Sequence, residues 1–228
     1  MKISSVTLIV AFVAAAGANA DVVFNQPTPT DGSKVGFGFY SHTTAKPTRS
    51  YLHADNVVLG AAADIGKVTW WGMSEGVART DLGNFSSFTV SFHKSKLQFG
   101  SLIPRPAFAS ETFAIASTSP TATGRTAPTG AMEYRHEVTL TSPVTLDAGA
   151  VYFISIAAAF VDGAGDAWLW QDSDTTEHYS AVFSYASNSW SPFIDTDSAF
   201  QLSTVPGPGV GVVALGAGFI GIRRRARR

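Results

Sequence analysis

Between residues 21 and 204 the apolar side chains fall largely on every second position. Phe88-Thr89-Val90-Ser91-Phe92-His93 alternates strictly, and Tyr134-Arg135-His136-Glu137-Val138-Thr139-Leu140 sets Tyr134, His136, Val138 and Leu140 on one face. A period of two marks a strand with one buried side. Val151–Phe160 is instead a nearly continuous apolar run, which predicts a central strand covered on both faces. Residues 161–166 carry turn chemistry and Ala167–Gln171 resumes as strand, so a hairpin is expected there. Shorter strands are predicted at 22–24, 36–40, 67–71, 180–185 and 199–202. No stretch sustains a three-to-four periodicity with helix caps. Many short strands separated by Gly, Pro, Asn and Ser predict an all-β fold, a single antiparallel β-sandwich of jelly-roll type. Residues 117–130, poor in bulky side chains, are expected to form a long exposed loop.

The two ends follow different rules. Lys2, an apolar run over residues 6–16 and Ala18-Asn19-Ala20 form the pattern of a secretory signal peptide, helical and cut after Ala20. At the other end Val205-Pro206-Gly207-Pro208 resists helix formation, residues 209–222 hold no charge, and Arg223-Arg224-Arg225-Ala226-Arg227-Arg228 follows. An apolar helix counted from Val205 has 18 residues, at the lower edge of the roughly 17–25 that span hydrocarbon. Basic flanks resist translocation, so the arginines should stay on the cytoplasmic side while the middle is exported. The expected organisation is a signal peptide at 1–20, a β-sandwich ectodomain at 21–204 and a short transmembrane sorting or anchor segment at 205–228.

Motif, apolar helix and arginine cluster together resemble the PEP-CTERM sorting signal, which exosortase transpeptidases recognise in bacteria. The resemblance covers residues 205–228, about a tenth of the chain. It implies a sorting motif at Val205, Pro206, Gly207 and Pro208, and a membrane stop at Arg223, Arg224, Arg225, Arg227 and Arg228. It also implies an exosortase-type transpeptidase as partner and attachment to the inner membrane before processing. The destination would be the cell surface or extracellular matrix of a bacterium. The family's motif is Pro-Glu-Pro; Pro206 and Pro208 match it, and Gly207 stands where the acid belongs. A related glycine-rich sorting signal and an uncut one-helix anchor therefore remain open. The layout of 21–204 is also similar to exported β-sandwich ectodomains that precede such signals, on stretches such as Val68-Thr69-Trp70-Trp71-Gly72 and Ser198-Ala199-Phe200-Gln201-Leu202.

Charge narrows the function classes. Six of the 16 Lys and Arg residues lie in the two ends, while all 17 Asp and Glu lie between Asp21 and Asp197, leaving the middle at −7. That balance argues against nucleic acid as a partner, since phosphate neutralisation needs clustered cations. The absence of cysteine excludes disulfides, thiolate metal sites and thiol catalysis.

Candidate chemistry in the middle is sparse. Gly72-Met73-Ser74-Glu75-Gly76 matches the G-x-S-x-G nucleophile elbow, but a strand before it and a helix after it are required, and a turn is expected instead. His42, His53, His93, His136 and His178 are scattered without paired ligand spacing. Asp162 and Asp166, like Asp172-Ser173-Asp174, offer oxygens that suit Ca²⁺, with Asx turns as the alternative. No cofactor is expected. A glycosidase would need two acids across a cleft, and Glu75, Glu111, Glu133, Glu137 and Glu177 are available. Trp168 and Trp170, two apart on a strand, share a face, and Trp190 sits in a loop-like context. Their indoles could fill a core or stack on the apolar faces of sugars. The expected function is that of an exported, non-enzymatic structural or interaction protein of the cell envelope, in contact with extracellular polysaccharide or neighbouring surface proteins. The alternatives are a carbohydrate-binding module using Trp168, Trp170 and Trp190, and a glycan hydrolase.

Overall fold

The computed structural model describes residues 20–30, 38–43, 51–75, 82–161, 167–174, 179–193 and 197–205. These residues form strands β1 (Val22–Gln26), β2 (Gly38–Tyr40), β3 (Tyr51–Val58), β4 (Ala63–Glu75), β5 (Phe85–Gln98) and β6 (Ser101–Ala114). After a 3₁₀ turn at Ile115–Thr118 come β7 (Thr121–Thr126), β8 (Met132–Leu146), β9 (Val151–Phe160) and β10 (Ala167–Gln171). Strands β11 (Ser180–Ser184), β12 (Ser189–Phe193) and β13 (Phe200–Thr204) complete the set. The fold of the described residues is all-β, with no helix long and apolar enough to cross a membrane among them. The expected signal-peptide helix and C-terminal transmembrane helix lie outside the described residues.

Two antiparallel sheets divide the strands. In the first, β4 pairs with β8 along one edge, while β13 and β10 share its other edge, β13 over Ile65–Trp70 and β10 over Gly72–Glu75. Strand β1 extends this sheet beyond β13, β2 beyond β10 and β7 beyond β8. The second sheet has the order β12-β11-β3-β9-β5-β6. The alternation read from the sequence sends Phe88, Val90 and Phe92 of β5 and Val138 and Leu140 of β8 into one shared core, where Val68 and Trp70 of β4 and Ile154 and Ile156 of β9 join them. Trp70 meets Phe88 at 5.4 Å and Trp168 meets Phe88 at 4.6 Å between ring centroids, so the core joins both sheets. Each buried indole removes on the order of 200 Å² from water, a gross gain of roughly 5 kcal/mol before ordering costs.

Three expectations are corrected here. Strands β9 and β10 do not form a hairpin, because β9 belongs to the second sheet and β10 pairs β2 and β4 of the first. Residues 117–130 are not a free loop. Strand β7 pairs β8, and Ala127 and Ala131 pack on Met73 and Leu169 over the outer face of the first sheet. Trp190 lies on β12 rather than in a loop, following a turn in which Asn188 takes a positive φ of 50°. Asn tolerates that left-handed geometry better than most residues.

The contact pattern groups Asp21–Val205 into one compact unit. Its ends are bonded to each other: Asp21 N donates to Thr204 Oγ1 at 3.1 Å, and Thr204 N donates to Asp21 O at 2.9 Å. Thus β1 and β13 run side by side, and both ends of the unit leave from one end of the sheets.

Candidate functional site

Trp168 and Trp170 do project to one face of β10, but that face is the core. Both are 0% exposed. The Trp168 ring lies edge-on to Phe85, Phe88 and His136, and Trp170 Nε1 donates to Ala199 O at 3.0 Å while its ring meets Phe200 and His53. No ring face is open to a sugar, which removes both residues as glycan-stacking candidates. Packing this tight explains Gly72 opposite them. A Cβ there would lie 2.3 Å from Trp168 Cζ2 and 2.5 Å from Leu169 O. The first glycine of the G-x-S-x-G match is therefore a packing requirement. Ser74 is buried at 3% exposure within β4, and the strand continues through Glu75, so Ser74 stands in a strand and not on an elbow or on the expected turn; Gly76 lies outside the described residues.

Two histidines stand in the same core. His136 stacks on Trp70 at 5.2 Å and 10°, and its Nδ1 lies 2.8 Å from Thr118 Oγ1. Thr118 Oγ1 already donates to Ile115 O at 2.8 Å, so His136 Nδ1 must carry the proton it shares. His53 stacks on Phe39 at 4.2 Å, and neither of its ring nitrogens has a hydrogen-bond partner among the described residues. Burial drives both imidazoles down to about 3, so each is neutral at physiological pH.

Of the three tryptophan candidates, Trp190 alone keeps surface in solvent, being half-buried. On the outer face of the second sheet Tyr185, Phe183, Trp190 and His93 follow one another edge to face at 5.3, 5.4 and 5.6 Å. Strands β12 and β5 are four places apart, about 19 Å on a flat sheet. Ring contact between Trp190 and His93 requires the sheet to curl, and β12 accordingly touches β6. The trough so formed is floored by Ala54, Phe153 and Ala181, with Leu102, Val151 and Trp190 against them. Beside it the hydroxyl pairs Ser91–Ser110 and Thr89–Thr112 close at 2.9 Å each across β5 and β6. Sequence reading missed Phe183, Tyr185 and His93 as neighbours of Trp190. The available signal was the turn at 185–188, which makes a hairpin of 180–193.

His93 also touches a serine. Its Nδ1 is 2.8 Å from Arg105 O, which can only accept, so Nε2 accepts from Ser155 Oγ at 3.0 Å. That is the hydrogen bond of a nucleophile–base pair, but Ser155 is 1% and His93 5% exposed. An attacking oxygen needs an open approach. Here the pair ties β5 to β9, and burial, partly offset by the Arg105 carbonyl, lowers the imidazole.

A cleft of about 500 Å³ opens where β6 and the second half of β8 face each other without pairing. Phe92, Phe108, Leu140 and Val144 line it, and both oxygens of Glu111 accept from Thr141, Oε2 from its amide at 2.9 Å and Oε1 from its hydroxyl. Among the described residues the candidate glutamates do not converge. Glu133 is buried on the outer side of β8, held by Thr123 Oγ1 at 2.8 Å and Arg125 at 3.7 Å, and burial raises its carboxyl in spite of both. Burial would also raise Glu137, but Lys67 at 2.8 Å and Arg135 at 2.6 Å more than offset it and hold its carboxyl below the ordinary value. Glu133 and Glu137 are four residues apart on one face, about 13 Å of strand, beyond the separation at which a glycosidase pair works.

Among the described residues no group of three or more His, Asp or Glu side chains could hold a metal ion. Asp162 and Asp166, the sorting motif after Val205 and the five arginines of the membrane stop lie outside the described residues, as do His178, Glu177 and the side chain of Glu75. A family model described as Domain of unknown function (DUF7901) matches residues 22–203. No curated protein matches the chain.

Proposed function

The chain belongs to the DUF7901 family, whose description names no function, and we propose that it is an exported cell-envelope protein whose β-domain is displayed as a binding or structural module. In this reading residues 1–20 direct export, and residues 205–228 hold the chain at the inner membrane until a sorting transpeptidase of exosortase type acts on Pro206-Gly207-Pro208. The partners are extracellular polysaccharide or neighbouring surface proteins. The observation that carries the reading is the mutual bonding of Asp21 and Thr204. A domain whose first and last strands close on each other loses no described strand when either address segment is cut away. The finer fold is a jelly-roll sandwich. The runs β1-β13-β4-β8 and β3-β9-β5-β6, with the chain passing repeatedly from one sheet to the other, support it.

Intact-mass measurement of the native surface or secreted form tests the proposal. A product beginning at Asp21 and ending near Pro206, with or without a carrier, is expected. A product retaining residues 1–20, or full cell association after deletion of 206–228, overturns it. A second reading, glycan binding, is favoured by the row Tyr185–Phe183–Trp190 alone. Affinity electrophoresis in polysaccharide gels checks it: retardation that Trp190→Ala abolishes supports the row, and retardation that Trp190→Ala leaves unchanged excludes it.

A further inference from the structure

Strands β5 and β6 outrun the rest of their sheet. The last residue of β5 paired with β9 is Lys94, opposite Tyr152, whereas the β5–β6 pairing continues to Gln98 opposite Ser101. This arm reverses on Phe99 and Gly100, with φ of 49° and 82°. Two positive φ values in a two-residue hairpin loop favour Asn-Gly, and a bulky aromatic at the first position is strained. Nothing within the fold compensates that strain, because Phe99 is 99% exposed. Leu97, just before it, is 72% exposed. The stem is anchored up to its last turn: Leu102, opposite Leu97, packs on the Phe153 cluster, and Ile103, opposite Lys96, is 2% exposed. The tip is thus two bare apolar side chains held out on a rigid stem.

The charge around them is equally particular. From Leu82 to Ser110 there is no acidic residue, yet Lys94, Lys96 and Arg105 lie in that stretch, on a domain that carries −7 overall. The arm leaves from the same end as Val205: β9 begins there, β8 ends there, and Val205 N donates to Asp64 O at the start of β4. A protein interface of ordinary size buries about 800 Å² per partner, far more than a two-residue tip presents. A bilayer interface, by contrast, takes up isolated aromatic and aliphatic side chains flanked by lysine and arginine.

We propose that the β5–β6 arm is a membrane-contact element, seating Phe99 and Leu97 in the interface of an anionic bilayer with Lys94, Lys96 and Arg105 against its headgroups. The inference goes beyond export and sorting and does not rest on the tail being cut. The absence of cysteine permits a direct test on the full chain. Leu97→Cys carries a polarity-sensitive dye, and Tyr179→Cys, at a 56% exposed position off the arm, serves as the control. Each is titrated with vesicles of phosphatidylcholine alone or with phosphatidylglycerol added. A blue shift and several-fold brightening at position 97 on the phosphatidylglycerol vesicles, with position 179 unchanged, is expected. Lys94→Glu with Lys96→Glu should raise the lipid concentration for half-saturation about tenfold or more. Phe99→Asn should also weaken the response, although it suits the turn better. A position 97 that stays in water on anionic vesicles, or shifts alike on both vesicle types, overturns the proposal. So does a dry signal obtained only with an acidic polypeptide, which would assign the arm to a protein partner.

Discussion

Acid is expected to loosen this protein well above the range in which carboxylates protonate. His53 and His136 are buried as neutral rings, and burial brings both from 6.5 down to about 3. The unfolded chain binds protons at these sites below 6.5 while the folded chain refuses them. A group lowered on folding contributes stability that is complete above its unfolded value and is lost as pH falls, here through the window from 6.5 to about 3. At about 1.4 kcal/mol per pH unit, moving to about pH 5 costs roughly 2 kcal/mol for each ring and about 4 for both. That is a large share of the roughly 5–15 kcal/mol of a typical domain. Glu133 acts in the opposite sense, since its raised carboxyl takes up a proton more readily when folded. The histidine contribution is therefore read by difference. Urea unfolding followed by tryptophan fluorescence at about pH 7.5 and about pH 5 would compare wild type with His136→Phe. Phenylalanine keeps a ring against Trp70 and loses the Thr118 hydrogen bond at both pH values alike. The wild-type unfolding free energy should drop between the two by about 2 kcal/mol more than that of the variant, since His93, which burial also lowers, and Glu133 contribute to both proteins alike. Equal drops in both proteins, or a wild-type drop under about 1 kcal/mol, would refute the reasoning.

Three further outcomes follow from single contacts. Gly72→Ala drives a methyl group into Trp168 and the Leu169 carbonyl, and should cost about 1–3 kcal/mol in urea unfolding with a change in near-UV circular dichroism. Lys67→Met removes one of the two cations on Glu137, so the Glu137 carboxyl should titrate upward in carboxyl-detected NMR, and the stability it contributes above its unfolded value should be lost at a higher pH as acid is added. Phe99→Asn relieves a left-handed aromatic and should stabilise the domain by up to about 1 kcal/mol, while a loss of stability would show that Phe99 is held by contacts within the fold.

Some strands were plain in the one-dimensional pattern. Val151–Phe160 is β9 with the same boundaries, because an apolar run interrupted only by Ser155 between turn residues suits a strand buried on both faces. The alternating segments of β5 and β8 were equally clear, since one face of each lies on the shared core. Strand β6 was not, since Pro104, Pro106 and polar residues break its alternation. It forms the edge of its sheet, where proline removes no ladder bond that the sheet needs. The candidate site was less legible still. The spacing of Trp168 and Trp170 fixes only that they share a face, and whether that face is wet depends on the sheet packed against it. Trp190 and His93, almost a hundred residues apart, meet because the second sheet rolls its edge strand over its own outer side.

What the chain states by itself is local: which positions alternate, where turns interrupt, where charge is withheld or massed, and hence an all-β domain between two address-like ends. Which strands share a sheet, which tryptophan faces solvent and which hairpin projects beyond its neighbours were decided only in three dimensions. The reason is physical: hydrophobic periodicity records that a side chain is buried, and carries no information on what buries it.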